Sequence, residues 1–179
     1  LKGTKLEDFD GLNEAIKSFG RVNSSNRLAY AELVREKVNL PIAERTHITA
    51  VGEVSDGEAN GVLGLGYAKW SDSCGPEYPF GISFERMVDG PVLLVKSAVG
   101  GTSVHVPWRP PSLADAETPI EKKAREASGK DPQKGTGTLW LKTMEHIRKV
   151  LADPGKYHPD YDPEVGYEVV GAVWFQGWN

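Results

Sequence analysis

The sequence is poor in cysteine, in long apolar runs and in net charge. Its one cysteine, Cys74, excludes an intrachain disulfide. No stretch approaches the roughly 18–20 apolar residues that a membrane-spanning helix needs. A net charge of −4 gives no reason to expect nucleic acid or an anionic membrane as a partner. Because the chain starts at Leu1 instead of Met, with no signal-peptide pattern, we expect a processed or truncated N-terminus.

The length and composition are those of a single globular domain. The chain has 179 residues, of which 39% are hydrophobic and 26% charged. This is enough for one domain with a substantial core and too little for two comfortable ones. We therefore expect residues 1–179 to form one domain.

Helix-like and strand-like patterns alternate along the chain. Helices are predicted at residues 11–19, from Ser24 or Ser25 through Val34, at 80–88 and at 139–151, and strands at 46–54, 92–98 and 167–175. The last two strands are continuous apolar runs, which are typical of strands buried on both faces. This order indicates an α/β fold with a parallel sheet.

The segments between these elements differ in character. Residues 55–75 are rich in Gly, Asp and Ser and predict a long loop, with Leu63, Leu65 and Tyr67 turned inward. Residues 121–137 are charged and contain glycine, which predicts an exposed, mobile excursion. In the predicted helix at 80–88, the apolar face consists of Phe80, Phe84, Met87 and Val88.

Two glycine-containing loops follow buried strands and carry the possible chemistry. Gly100-Gly101-Thr102-Ser103 follows the strand at 92–98, and Gln176-Gly177-Trp178-Asn179 follows the strand at 167–175. Ligands of open parallel sheets bind just past the carboxyl ends of the strands. A backbone N–H from one loop and an amide from the other would together form an oxyanion hole. The alternative is that both loops are ordinary tight turns.

Four motifs, in this order, resemble one protein family. They are Gly75 to Gly81 (GPEYPFG), Val92 to Ser103 (VLLVKSAVGGTS), Trp108 to Ser112 (WRPPS) and Gly171 to Asn179 (GAVWFQGWN). Together they are similar to the sialate O-acetylesterase-like branch of the SGNH, or GDSL-type, hydrolases, which are carbohydrate esterases. The resemblance implies a flavodoxin-like α/β/α sandwich, a Ser-His-Asp-type active site, no cofactor and no metal.

The resemblance also assigns roles to residues of this chain. Gly100 matches the glycine whose N–H serves the oxyanion hole, and Gly101 is its neighbour on the substrate side. The side-chain donor is Asn179 by the Gly-x-Asn-Asp pattern, or Gln176 by the related Gln-Gly-Glu pattern, and both stay open. Arg109 and Trp178 are expected to contact substrate. The chain departs from the family at Val99, where many members have an aromatic residue.

Two family segments have no counterpart in the sequence. No Gly-Gln-Ser-Asn or Gly-Asp-Ser segment supplies the nucleophilic serine, and no Asp-x-x-His segment supplies the base. We therefore expect an internal fragment of an O-acetylesterase of sialate or xylan type, inactive alone, which contributes the oxyanion-hole loops. The exposed sheet edges of such a fragment would favour self-association. Relatives are often exported from bacteria, so the resemblance implies a secreted or periplasmic location.

Substitutes for the missing groups are weak. His105 follows Ser103 by two residues, so along a strand both would face one side, but no orienting carboxylate is evident in the sequence. His146 is predicted to be solvated, and His47 and His158 lack metal-ligand spacing. Glu77 is predicted to hold the Gly-Pro-Glu turn through backbone hydrogen bonds.

Tryptophans near the motifs support an alternative from another class. Aromatic faces stack on sugar rings, so the chain could instead be a non-catalytic carbohydrate-binding module or an inactive esterase homologue. Trp108 and Trp178 are the predicted platforms, whereas Trp174 is predicted to be core. The expected partner in either case is a carbohydrate, acetylated if the chain is an esterase.

Overall fold

A computed structural model describes residues 43–52, 58–68, 75–113, 117–129 and 135–175, together with Ala29 and Leu33. Within these residues the chain is mixed α/β, with one small sheet and three helices of eight or more residues. The predicted helix at 11–19, most of the one that follows it, Cys74, Gln176, Trp178 and Asn179 lie outside the described residues. None of the helices in the described ranges has the length and apolarity needed to cross a bilayer.

The sheet has three strands in the order β2-β1-β3. β1 (Thr46–Gly52) pairs in parallel with β3 (Val92–Ala98) and antiparallel with β2 (Glu58–Val62). The prediction of β1 and β3 is confirmed, and so is their parallel pairing. The prediction of a parallel sheet is wrong for β2, which pairs antiparallel with β1. The prediction of a loop over residues 55–75 is wrong for residues 58–62, which form this strand. Its sequence, EANGV, has low β propensity, and pairing with β1 decides its conformation.

The helices are α1 (Glu77–Phe84), α2 (Pro119–Ser128) and α3 (Thr138–Ala152). Short 3₁₀ turns occur at Pro111–Leu113 and Pro154–Lys156. The bounds of α3 agree with the prediction within one residue at each end. α2 contradicts the predicted mobile excursion, because Thr118 and Glu121 form a capping box at its start and Gly129 ends it in a left-handed conformation.

The chain contacts divide into two compact units. The first consists of Leu1–Ala98 and Ala152–Gly166, and the second of Val99–Leu151 and Tyr167–Asn179. The expectation of a single domain stays a prediction.

The core of the first unit lies around β1. Its buried residues come from β1, from β2 and the segments beside these strands, and from α1, and they are Ala43, Ile48, Ala50, Ala59, Leu63, Tyr67 and Ile82. From β3, Leu94 is partly buried against them. The inward placement of Leu63, Leu65 and Tyr67 is confirmed, since all three side chains are buried. β3 is less buried than predicted, because it is the edge strand of this sheet and only Val92 is fully covered.

The apolar face predicted for α1 is wrong. Phe80 is 45% exposed and Met87, which lies beyond the helix, is 80% exposed. The buried face instead carries Gly81 and Ile82. A Cβ built at Gly81 would lie 2.1 Å from Cδ2 of Leu63, so the missing side chain is what allows α1 to approach the sheet.

The segment from Tyr167 to Phe175 is the largest departure from the predictions. It forms no β-ladder within the described ranges, and every residue from 167 to 175 is exposed. The prediction of a strand buried on both faces is therefore wrong. β-branched and aromatic residues favour an extended backbone, but burial also needs a partner surface, which composition does not specify.

Candidate functional site

The glycine turn after β3 begins the second unit. Gly100 and Gly101 are both exposed, and Gly101 has a φ of +67°, a conformation that favours glycine. Among the described residues, no hydrogen bond engages the N–H of Gly100 or Gly101. The turn therefore presents two free backbone donors to solvent. An N–H without a partner in the protein is what the predicted oxyanion-hole role requires of Gly100.

Thr102 and Trp108 connect this turn to the loop that follows. The Thr102 hydroxyl donates to the Val99 carbonyl at 2.8 Å, and it accepts from Nε1–H of Trp108 at 2.9 Å. Trp108 is buried, and its ring meets that of Trp174 edge to face, with centroids 5.5 Å apart. The prediction that Trp174 is a core residue is wrong, since 54% of it is exposed.

The same loop also holds the start of α3. The carbonyl of Pro107 accepts from the N–H groups of Leu139 and Trp140, and that of Val106 accepts from Gly137. These bonds satisfy donors that the first helical turn leaves unpaired. Gly137 has a φ of +71°, and a Cβ built there would lie 3.0 Å from the Arg109 carbonyl. A glycine at this position allows the close approach that brings Trp140 beside the loop.

A pocket of about 370 Å³ lies between the loop and α3. Its lining is mainly aromatic and aliphatic and consists of Val104, His105, Trp108, Arg109, Pro110, Leu113, Trp140 and Trp174. The indole N–H groups of Trp140 and Trp174 make no hydrogen bond to the described residues. The pocket thus combines ring faces with a few polar donors, which is the usual make-up of a small-molecule site.

Arg109 lines this pocket but is mostly engaged within the protein. Its guanidinium donates to Oε1 of Glu121 at 2.8 Å and, through Nε, to the His105 carbonyl at 2.9 Å. Glu121 is buried, and its other carboxylate oxygen accepts from the N–H of Thr118 at 2.7 Å. That backbone hydrogen bond and the neighbouring Arg109 charge lower the pKa of Glu121 to about 2, against the opposing effect of desolvation.

His105 completes a three-residue cluster with Arg109 and Glu121. Its Nε2 lies 2.9 Å from Oε1 of Glu121, and its side chain is 46% exposed. Glu121 is the orienting carboxylate that the sequence did not reveal, because it lies on a helix predicted as mobile. Ser103 Oγ accepts from the main-chain N–H of His105, not from its ring. The structure thus provides an oriented histidine without a hydrogen bond from the Ser103 hydroxyl to its ring.

Other polar residues singled out in the sequence lie elsewhere. Glu77 accepts from the N–H of Gly75 at 3.0 Å, as predicted, and also pairs with Lys96 at 2.8 Å. His146 is buried on α3, so its predicted solvation is wrong. His47 and His158 pack with ring centroids 4.3 Å apart. In the described ranges, no three His, Cys, Asp or Glu side chains gather into a group able to bind a metal ion.

Only the first of the two predicted oxyanion-hole loops lies among the described residues. Gly100, Gly101 and Arg109 are described, whereas Gln176, Trp178 and Asn179 lie outside the described residues. The convergence of the loops on one oxygen atom stays a prediction. A comparison with protein-family models, curated proteins and solved structures finds no match to the chain.

Proposed function

We propose that this chain belongs to a carbohydrate esterase of the sialate O-acetylesterase-like SGNH type, which removes O-acetyl groups from sugars. The observation that carries the proposal is the free N–H of Gly100, in an exposed turn connected by hydrogen bonds to a tryptophan-lined pocket. The pocket offers ring faces and indole donors to a sugar. The turn offers a donor to the carbonyl oxygen of an ester on that sugar.

In the proposed reaction, a serine hydroxyl that this chain does not supply attacks the acetyl carbonyl. The carbonyl oxygen gains negative charge as the tetrahedral intermediate forms. The N–H of Gly100 and an amide of Gln176 or Asn179 stabilise that charge. A histidine then protonates the leaving sugar hydroxyl, and water later releases acetate from the serine. The contribution of this chain is the oxyanion donors and the sugar-binding wall, in a flavodoxin-like α/β/α domain.

The second candidate is sugar binding without catalysis. The specific observation in its favour is that the pocket lining brings three tryptophans together, whereas the Ser103 hydroxyl accepts from the main-chain N–H of His105. The two candidates differ in what they require of Gly100. Only the esterase needs the turn to recognise an ester carbonyl.

The test compares O-acetylated sugars with their deacetylated parents. An acetylated xyloside and an acetylated sialoside would each be titrated into the chain and followed by tryptophan fluorescence. The proposal predicts tighter binding of at least one acetylated sugar, and loss of binding in Trp140→Ala. Gly100→Pro, which removes the N–H, should abolish the acetyl preference, while Gly171→Pro, at an exposed glycine with no close neighbours, should keep it.

The outcomes separate the candidates. Binding with equal affinity for acetylated and parent sugars would favour the binding module, and no binding of either would contradict both. Acetate release and fluorophosphonate labelling would be measured in parallel. A labelled serine found by intact mass would contradict the proposal that the nucleophile lies outside this chain.

A further inference from the structure

A relay of two hydrogen bonds runs from the tryptophan pocket to the glycine turn. Nε1–H of Trp108 donates to the Thr102 hydroxyl at 2.9 Å, and that hydroxyl donates to the Val99 carbonyl at 2.8 Å. A hydroxyl has one proton to donate, so both its donor and an acceptor lone pair are used in fixed directions. Thr102 therefore has a single orientation that satisfies both neighbours.

The far end of the relay controls the Gly100 N–H. The Val99 carbonyl and the Gly100 N–H belong to the same planar peptide unit. In a trans peptide the two bonds point in opposite directions, and the described residues contain no cis peptide. Because the carbonyl points towards Thr102, the Gly100 N–H points away from it. Rotating that peptide would break the bond to Thr102.

Trp108 connects the two hydrogen bonds to the pocket. Trp108 is only 6% exposed, lines the pocket, and meets the exposed ring of Trp174 edge to face. A ligand that packs between these rings restricts the indole of Trp108. The indole in turn restricts Thr102.

We infer that Thr102 is a positioning residue, which couples occupancy of the tryptophan pocket to the direction of the Gly100 N–H. The inference rests on the proposed function, since the N–H matters only if it binds an ester carbonyl. Two consecutive glycines give this turn an unusually large choice of backbone conformations. The hydroxyl of Thr102 selects the one in which the donor is free.

The hydrogen bond that the Thr102 hydroxyl accepts from Trp108 distinguishes this turn from an ordinary threonine turn. A threonine that only closes a turn needs to donate to the carbonyl three residues earlier, as Thr102 does to Val99. The second bond, from Trp108, does nothing for the turn itself. It connects the turn to a residue that lines the pocket and packs against Trp174.

The test uses three variants of the chain. Thr102→Val keeps the shape and removes both hydrogen bonds, Thr102→Ser keeps the hydroxyl, and Trp108→Phe keeps a ring and removes the indole donor. The probes are methyl 2-O-acetyl-β-D-xylopyranoside and its deacetylated parent. We expect Thr102→Val and Trp108→Phe to lose roughly 3- to 10-fold in preference for the acetylated sugar, as for one hydrogen bond. Thr102→Ser should retain the preference.

A second measurement needs no ligand. In the free chain, ¹⁵N relaxation should show faster motion of the Gly100 and Gly101 amides in Thr102→Val, and wild-type values in Thr102→Ser. Unchanged amides in a folded Thr102→Val would overturn the inference while leaving the proposed function standing. Wild-type protein without an acetyl preference would overturn the proposed function, and the coupling to ester recognition with it. If Thr102→Val does not fold, the acetyl preference of Trp108→Phe decides, and a preference equal to that of the wild type would overturn the inference.

Discussion

Arg109 and Glu121 are both buried, and they hydrogen bond to each other at 2.8 Å across twelve positions of sequence. The pair ties the loop that carries Trp108 to the first turn of α2. Thr118 supports it from the other side through the capping box. The pair thus fixes one wall of the tryptophan pocket, and removing either charge would leave the other buried without its counter-ion.

Glu121→Gln should lower the thermal stability of the second unit and release the His105 ring from its fixed position. The matched control is Glu117→Gln, which breaks the exposed pair between Glu117 and Arg125. Exposed pairs contribute little, so the control should change the melting temperature only slightly. Equal melting temperatures for both variants would contradict a structural role for the buried pair.

The same carboxylate predicts an acid sensitivity. The pKa of Glu121 is lowered from its ordinary 4.5 to about 2, so the folded state holds this proton less tightly than the unfolded state does. Its contribution is complete above about pH 4.5 and is lost as the pH falls towards 2. Urea unfolding between pH 5 and pH 2.5 should therefore show a steeper loss of stability in the wild type than in Glu121→Gln.

The sequence predicts a helix or strand correctly where the apolar pattern of that segment alone indicates its conformation. Apolar patterns at 46–54, 92–98 and 139–151 predict the existence of β1, β3 and α3, but not their burial in full, since most of β3 is half-buried and α3 buries His146 beside Val150. α2 was missed because its stretch is charged throughout. Its formation depends on the Thr118 cap and on an ion pair with Arg109, and a distant partner of that kind leaves no periodic signal.

The candidate site depends on local and on long-range features of the sequence to different degrees. The exposed turn at Gly100 and Gly101 can be predicted from a glycine pair at a strand end. The wall formed by Trp140 and the orienting role of Glu121 depend on which segments of the second unit pack together. The strand-like composition of residues 167–175 was misleading, because an apolar run indicates a preferred conformation without indicating what covers it.

Gly81→Ala should destabilise the first unit by about 1–2 kcal/mol, since overpacking a core outweighs the gain in helix propensity. The new Cβ would lie 2.1 Å from Leu63, a core residue, and 3.0 Å from Leu94, which packs against the same core. Ser83→Ala, on an exposed position of the same helix, is the control and should be neutral or slightly stabilising. Chemical denaturation measures the unfolding free energy of both variants. A more stable Gly81→Ala would mean that the core accommodates the added methyl group.

Glu85→Gln should cost about 2–4 kcal/mol, because the carboxylate organises the start of β1. It accepts from the N–H groups of Glu44 and Arg45 at 3.2 and 3.1 Å, and from the Thr46 hydroxyl at 2.8 Å. Burial raises the pKa of Glu85, but these hydrogen bonds and the Arg45 charge lower it overall. The exposed Glu44→Gln is the matched control. Comparable unfolding free energies for the two variants would contradict this role.

His47 should make the first unit sensitive to mild acid. Burial, and then the neighbouring His158, lower the pKa of His47 from 6.5, while Asp160 opposes them. Its Nδ1 is buried without a hydrogen-bond partner in the described part of the chain. Because the unfolded state binds this proton more tightly, the stabilising contribution is complete above about pH 6.5 and is lost as the pH falls below it. Urea unfolding at pH 7.5 and pH 5.5 should show this loss in the wild type and a smaller one in His47→Leu. His105→Leu, in the second unit, controls for the loss of a histidine as such, and an equal reduction in both variants would rule out His47 as the source.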